Sequence, residues 1–260
     1  MWYTRMVLSF SESALWDALF LENKIISYSF IFLEEFMFDR VIKLIGSDNL
    51  DKIKSVVVAV IGLGGVGGYA VEGLIRSGIE NIIIVDYDTI DESNLNRQII
   101  TNTSNISKLK TDEMEKRILS INPNCNVTKL NIKLDLDNMD KLFNLKFDYL
   151  IDCCDTVVVK QELIKRCLNK KIKFISSMGT GNKLNPDMLE VVDISKTSYD
   201  PIAKKIRKYL KDNKIKGKVP VVYSKEQNNK FTGSIPSMVF VPATSGLLCS
   251  NYIIKCIINS

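Results

Sequence analysis

The spacing of hydrophobic positions changes regularly along the chain from residue 55 onward. The runs VVVAVIG and NIIIVD, at 56–62 and 81–86, are apolar throughout and rich in β-branched residues, which is typical of strands buried on both faces. Residues 66–77 and 108–122 instead place apolar side chains at helical intervals. This strand–helix alternation predicts a doubly wound α/β fold, with a mostly parallel sheet and helices on both of its faces.

The alternation continues toward the C-terminus. Three more helices are predicted at 138–144, 156–169 and 200–211. Further strands are predicted at 126–132, 148–154, 171–177, 188–195 and 219–224. The final stretch, 237–260, is apolar but carries Pro242 and Lys255, so we expect a buried strand and a core helix there rather than a membrane span.

The part of the chain before the first strand divides at residue 37. Residues 1–36 have no clear period, and we expect an N-terminal extension to which the sequence assigns no role. Residues 37–54 predict two short helices separated by Gly46, because glycine commonly ends a helix. We therefore expect a single domain over 37–260, with a basic insertion at about 179–233.

Composition excludes several classes of site. The 260 residues contain no histidine, which excludes catalytic triads and zinc sites that use histidine. The six cysteines form no CxxC pair, so we expect no zinc. Nothing in the sequence resembles a secretory signal, and the cysteines are interpreted as reduced thiols of a cytoplasmic protein that does not associate with membranes.

The positive charge of the chain is concentrated in one segment. The net charge is +5, but residues 196–230 hold 11 Lys and Arg against three Asp and Glu. A local excess of this kind favours a polyanionic partner such as a nucleic acid, although a solvated helix face is the ordinary explanation. The candidate nucleic-acid contacts on the predicted helix are Lys204, Lys205, Arg207, Lys208 and Lys211.

A glycine-rich turn joins the first strand to the first long helix. Its glycines are Gly62, Gly64, Gly65 and Gly67. Such a turn offers backbone N–H groups and the positive end of a helix dipole to phosphate. Asp86 ends the next strand 19 residues after Gly67, where an acid that binds ribose is expected. These features predict nucleotide binding, and tight strand–helix packing without a ligand is the alternative.

Polar residues beyond the turn bear on whether the nucleotide is NAD or ATP. Hydride transfer needs little positive charge beyond the pyrophosphate, whereas nucleotidyl transfer needs cations for a triphosphate and a carboxylate for magnesium. The residues in question are Asp88, Asn94, Arg97, Gln98, Lys110 and Asp155. Each alone has a structural explanation, such as Asp155 capping a helix. Together they favour ATP, and an NAD-dependent oxidoreductase or a non-catalytic binding protein remains the alternative.

These motifs resemble the ubiquitin-activating-enzyme-like superfamily of ATP-dependent adenylyltransferases. The matching features are GxGGxG at 62–67, Asp86 and Asp88, NLNRQ at 94–98, Lys110, and DCCD at 152–155. The resemblance implies a homodimeric enzyme that uses ATP and Mg²⁺ to join a substrate carboxylate to AMP, with release of pyrophosphate.

The resemblance also implies roles for individual residues. Asp86 would hold the ribose, Arg97 and Lys110 would contact phosphates, and Asp155 would position magnesium. The four glycines, Asp88, Asn94 and Gln98 would complete the nucleotide pocket. Arg40 matches an arginine that members of this superfamily extend across the dimer into the partner's ATP site.

Two branches of the superfamily differ in the carboxylate that they activate. One branch adenylates the C-terminus of a ubiquitin-like or sulfur-carrier protein, and this remains the alternative. The other activates the threonyl carboxylate of threonylcarbamoyladenosine in tRNA and closes it to a cyclic form, in some cases with a sulfur-relay or other helper protein. The segments 200–211, 218–226 and 233–250 resemble the tRNA-modifying branch. One departure is Ile100, where that branch commonly has a histidine.

Overall fold

The computed structural model describes residues 37–227, 233 and 235–260. The expected extension over 1–36 lies outside these residues. The chain divides into two units between Ser47 and Asp48. In the first unit, α1 (Asp39–Ile45) ends at Gly46, whose φ of 83° is a conformation that favours glycine. The second helix, α2 (Ser47–Ser55), follows directly, so the two short helices around Gly46 are confirmed.

The second unit contains a seven-stranded sheet with the order β3-β2-β1-β4-β5-β7-β6. Its strands are β1 (Val57–Ile61), β2 (Asn81–Val85), β3 (Asn126–Leu130), β4 (Tyr149–Asp152), β5 (Lys173–Ser177), β6 (Leu189–Asp193) and β7 (Pro220–Ser224). Its longer helices are α3 (Gly67–Arg76), α4 (Lys110–Ile121), α5 (Met139–Phe143), α6 (Val157–Lys170), α7 (Pro201–Asp212) and α8 (Phe240–Ile258). Every pairing is parallel except that of β6 with β7, which confirms the predicted doubly wound sheet.

The register of the central strands determines where the chemistry can lie. Ile61 of β1 pairs with Val85 of β2 on one side and with Asp152 of β4 on the other. The residues that follow these three therefore leave the sheet at the same level, on strands about 4.8 Å apart. Since β2 and β4 flank β1 on opposite sides, their connections diverge and leave a crevice, which is where open α/β sheets bind ligands.

The C-terminal part of the chain extends the same sheet. Strand β7 pairs in parallel with β5, and β6 forms the antiparallel edge. Between them α7 begins at Pro201, with the side chain of Asp200 accepting from the backbone N–H of Ala203 at 2.8 Å. The predicted N-terminal cap of this helix is confirmed, because a carboxylate satisfies an N–H group that the helix itself leaves without a partner.

The predicted strand at the start of 237–260 is wrong. Residues 235–239 form no strand, and α8 begins at Phe240 with Pro242 in its first turn, where the missing N–H of proline costs no intrahelical bond. By length and composition alone α8 could cross a membrane. In the structure it packs on α3 instead: Gly246 lies so close to that helix that a Cβ would be 2.2 Å from the carbonyl oxygen of Val66.

Candidate functional site

A cavity of about 340 Å³ opens at the carboxyl edge of the sheet, above β1, β2 and β4. All the residues that were predicted to bind the nucleotide lie in the second unit, and most of them line this cavity. The lining residues among them are Gly62, Gly64, Gly65, Asp86, Asp88, Asn94, Arg97, Gln98, Lys110 and Asp155. These residues are separated by up to 93 positions in the chain, and the sheet topology brings them together.

The glycine turn is built so tightly that side chains are excluded at two positions. A Cβ on Gly67 would lie 1.7 Å from the carbonyl oxygen of Gly62, so the loop could not close. Gly62 has a φ of +86°, and a Cβ there would lie 3.0 Å from the carbonyl oxygen of Cys153. Helix α3 starts at Gly67, and the first N–H groups of a helix have no acceptor within it. The geometry therefore suits an anionic ligand.

Asp86 is buried and holds the turn in place. One carboxylate oxygen accepts from the N–H of Leu63 at 2.6 Å, and the other accepts from the N–H of Asp88 at 2.9 Å. A carboxylate has about four acceptor positions, so these two bonds leave capacity for further donors. The expected ribose-binding acid thus links the glycine turn to the end of β2.

Lys110 is a buried cation at the first position of α4. Its Nζ lies 3.0 Å from Oδ2 of Asp88, and its side chain is 6% exposed. The N-terminal end of a helix dipole repels positive charge, so this position does not stabilise the helix. A lysine placed there beside a cavity is better explained by an anion that binds in front of it.

The NLNRQ segment forms another wall of the cavity. Asn94 ends a one-turn 3₁₀ helix (Glu92–Asn94), in a capping box with Asp91. Arg97 donates through Nη1 to the carbonyl of Ser93 at 2.6 Å and to Asn96 Oδ1 at 2.9 Å, which uses two of its five donors. Gln98 is buried, and its Oε1 has no hydrogen-bond partner among the described residues. A buried acceptor without a partner is costly, so a ligand donor at this position fits the structure.

Asp155 follows β4 and is exposed to the cavity. Its Oδ1 accepts a weak bond from the Thr156 hydroxyl at 3.3 Å, and α6 has no side-chain cap, so the alternative role as a helix cap is wrong. Negative charge gathers here: Asp88 above all, then burial and the charges of Asp155 and Asp86, raise the pKa of Tyr87.

The carboxylates suit magnesium only in part. Among the described residues no group of three or more acids, cysteines or histidines could hold a metal ion by itself. Magnesium typically keeps several waters and binds one or two carboxylates together with substrate phosphates. Asp155, alone or with Asp88, fits that mode of binding.

Beneath the cavity lies a buried ion pair that the sequence did not reveal. The Lys160 ammonium of α6 donates to Asp152 Oδ2 at 3.0 Å, to the Ser177 carbonyl at 2.8 Å and to Ser176 Oγ at 3.3 Å. Burial acts to lower the pKa of Lys160, but the charges of Asp152 and Cys154 outweigh it, and the net shift is upward. Oδ1 of Asp152 accepts from the N–H of Cys154, so the pair shapes the loop that carries Asp155.

The two cysteines of this loop are interpreted as structural. A hydrogen bond with Cys249, followed by burial, raises the pKa of the Cys153 thiol, and burial raises that of Cys154. Both thiols are therefore protonated at neutral pH, which disfavours a nucleophilic role.

Two further cavity residues, Tyr87 and Lys133, were not predicted from the sequence. The Lys133 ammonium lies 5.4 Å from the centre of the Tyr87 ring, and both residues are exposed. Their only signal in the sequence was position, since Tyr87 follows Asp86 and Lys133 follows the third strand.

The basic residues of α7 do not line the nucleotide cavity. Lys204, Lys205, Lys208 and Lys211 are exposed, whereas Arg207 is half-buried and donates to Thr197 Oγ1 and to the carbonyl of Ile194. Arg40 lies on α1 in the first unit and is exposed. Ile100, at the position of the expected histidine, is buried.

Comparison with known proteins agrees with this geometry. Residues 38–259 match the ThiF family. A curated relative, the tRNA threonylcarbamoyladenosine dehydratase of Bacillus subtilis, is 37% identical over 228 residues, which span 81% of this chain and 90% of the relative.

Two crystal structures show the same similarity in three dimensions. They are of the Escherichia coli tRNA N6-threonylcarbamoyladenosine dehydratase, one in complex with ATP and one with AMP. Each is 32% identical to this chain with a TM-score of 0.82, and the match covers 86% of this chain and 95% of the other.

The buried ion pair yields a prediction about stability. Lys160→Met should lower the free energy of unfolding by about 3–5 kcal/mol, because it leaves the Asp152 carboxylate buried without its partner. Urea unfolding measures this change. Lys165→Met is the matched control, since Lys165 lies on the same helix with a side chain 43% exposed and should cost about 1 kcal/mol or less. Equal, small costs for the two variants would contradict the role assigned to the pair.

Proposed function

Because this chain belongs to the ThiF family, we propose that it is an ATP-dependent tRNA threonylcarbamoyladenosine dehydratase. The observation that carries the proposal is the similarity to the dehydratase of B. subtilis, which spans 90% of that protein and is not limited to the nucleotide-binding half. The substrate is the threonyl carboxylate of the modified adenosine beside the anticodon.

The reaction has two steps. A carboxylate oxygen of the substrate attacks the α-phosphorus of ATP, the bond to the β-phosphate breaks, and pyrophosphate leaves. The carbonyl carbon then carries AMP as a good leaving group, and attack by the substrate's own carbamoyl group closes the ring and expels AMP. The carboxylate is already deprotonated at neutral pH, so the first step needs no histidine base.

The cavity residues would divide this work between binding and charge stabilisation. The glycine turn and the start of α3 would hold phosphate oxygens, and Asp86 would accept from the ribose hydroxyls. Arg97 and Lys110 would stabilise the negative charge that develops on the phosphates. Asp88 would keep Lys110 in position, and Asn94 and Gln98 would complete the nucleotide pocket.

Magnesium belongs to this proposal through Asp155. When bound, the ion would neutralise phosphate charge and polarise the bond that breaks. Three carboxylates, of Asp86, Asp88 and Asp155, line the same cavity as the phosphate-binding turn, so a divalent cation would also relieve their repulsion of the triphosphate.

The alternative is adenylation of the C-terminus of a ubiquitin-like or sulfur-carrier protein. The zinc ligands usual in bacterial members of that branch would need CxxC pairs, which the sequence lacks. Thioester chemistry would need a reactive thiol, whereas the pKa of Cys153 and Cys154 is raised. These features favour the tRNA substrate.

The surroundings of the enzyme are part of the proposal. We expect a homodimer in which Arg40 completes the partner's ATP site, and we expect the lysines of α7 to contact tRNA. A sulfur-relay or other helper protein is compatible with the reaction, because the two steps can be assisted separately. The six cysteines, each without a disulfide, suit the cytoplasm, and no zinc is required.

The proposed function has a direct test. Incubation with ATP, Mg²⁺ and threonylcarbamoylated tRNA, followed by nuclease digestion and mass spectrometry, should show a modified nucleoside lighter by one water. Unchanged nucleoside would reject the proposal. Pyrophosphate exchange that depends on a ubiquitin-like protein and ignores tRNA would favour the alternative, and a preference for NAD over ATP in binding would favour an oxidoreductase.

The role of Asp155 can be separated from folding. Asp155→Asn should lower the rate of tRNA-dependent pyrophosphate exchange by about 100-fold or more, since metal-assisted charge stabilisation contributes several kcal/mol. Its thermal unfolding midpoint should stay close to that of the wild type, because Asp155 is exposed and caps no helix. Asp137→Asn, at another exposed loop position, is the control. Near-normal exchange in Asp155→Asn would refute the magnesium role.

The action of Arg40 across the dimer can be tested by mixing two inactive variants. Arg40→Ala and Asp155→Asn homodimers should each be inactive. After subunit exchange, random mixing should restore about a quarter of the sites, because each mixed dimer contains one site with both residues intact. Activity of the mixture is compared with that of each variant alone. A mixture that stays inactive while mixed dimers form would argue that Arg40 acts within its own subunit.

A further inference from the structure

A second groove lies between the first turns of α6 and the C-terminal half of α7. It has a volume of about 430 Å³ and an open shape. Val157, Val158 and Gln161 of α6 form one side, and Lys205, Lys208 and Tyr209 of α7 form the other. None of these residues takes part in the nucleotide site described above.

The groove adjoins the nucleotide cavity through the first turn of α6. Thr156 and Val159 line the cavity, whereas Val157 and Val158, between them in the chain, line the groove. Val158 is three residues from Asp155, so their Cα atoms are at most about 11 Å apart. A ligand in the groove therefore lies next to the place where the α-phosphate reaction would occur.

The chemistry of the groove suits an unstacked nucleotide. Val158 is 53% exposed in spite of its apolar side chain, and the half-buried Tyr209 offers an aromatic ring across from it. Bases from single-stranded loops stack on aromatic side chains, and lysines beside the ring neutralise the adjoining phosphates. Lys205 and Lys208 are both exposed at the groove, and Asp212 is the acid that lines its far end.

The tyrosine stands on a helix whose orientation is fixed. At its start Asp200 accepts from the N–H of Ala203 and also, at 3.1 Å, from the N–H of Gly179 after β5. In its middle Arg207 donates to Thr197 and Ile194. A platform that is already ordered loses little conformational freedom when a base stacks on it.

We propose that this groove binds a nucleotide that flanks the modified adenosine, with its base on Tyr209 and Val158 and its phosphates beside Lys205 and Lys208. The inference rests on the proposed function, since it assumes an RNA substrate. It assigns the specific hold on the anticodon loop to one groove, and leaves Lys204 and Lys211 on the outer face of α7 for the general attraction of tRNA.

Binding of an anticodon stem–loop RNA tests the proposal without requiring chemistry. The probe is fluorescently labelled, threonylcarbamoylated stem–loop RNA, and anisotropy gives Kd. Tyr209→Ala should weaken binding about 5- to 100-fold, the range that loss of one stacked base produces. Tyr209→Phe should bind like the wild type, because stacking needs the ring and not the hydroxyl. ATP affinity should not change in either variant.

Two further pairs of variants guard against misfolding and against a general charge effect. Val158→Glu adds a negative charge in the first turn of α6, where the helix dipole favours it, and should weaken RNA binding while Val158→Thr does not. Replacing Lys205 and Lys208 by alanine should reduce the slope of log Kd against log salt by about 1.4. The same change at Lys141 and Lys170, which are exposed elsewhere, should leave that slope unaltered.

The failures of the two proposals can be told apart. If the wild-type chain dehydrates the modified tRNA but Tyr209→Ala and Val158→Glu leave Kd for RNA unchanged, the groove proposal is overturned and the proposed function stands. The groove proposal is also overturned if these variants lose only the binding of a helper protein. If RNA binds in a Tyr209-dependent manner but no water is lost, the groove stands and the dehydratase function falls.

Discussion

The reversal of strand order at β1 is the constraint on which the rest of the molecule depends. With β2 on one side and β4 on the other, the backbone leaves the sheet in two directions from the level of Ile61. The glycine turn, the acid after β2 and the loop after β4 then surround one crevice. Side chains distant in sequence become neighbours because hydrogen-bond register, and not local preference, places the ends of the strands. The candidate chemistry needs no further device to be assembled.

Polar groups beneath this crevice have structural work of their own. Asp152 and Lys160 occupy positions where an apolar pair would also pack, and buried ion pairs often add little to stability. What this pair adds is direction: Asp152 turns the Cys154 N–H inward, and Lys160 ties the end of β4 to Ser176 and Ser177 of β5. The loop with Asp155 is thereby fixed from below while its carboxylate remains exposed.

The features that could be predicted from the sequence are those encoded locally. Continuous β-branched runs announced β1 and β2, and Asp200 with Pro201 announced the start of α7. The start of α8 was misjudged because the β-branched residues around Phe240 suggest a strand, whereas packing on α3 through Gly246 favours a helix. Lys160 was missed because it contacts Ser176 and Ser177, 16 and 17 residues further along the chain, only after β5 has joined the sheet.

The double attachment of Asp86 has a consequence for how a nucleotide would be recognised. One carboxylate oxygen already holds the N–H of Leu63 within the glycine turn, so a ribose that donates to this carboxylate shares an acceptor with the phosphate cradle. Recognition of the sugar and of the phosphates is then a linked equilibrium: whatever free energy one adds to the other is returned reciprocally. Binding energies measured for fragments such as a nucleoside and pyrophosphate would not sum to that of the whole nucleotide, and their difference would measure this coupling.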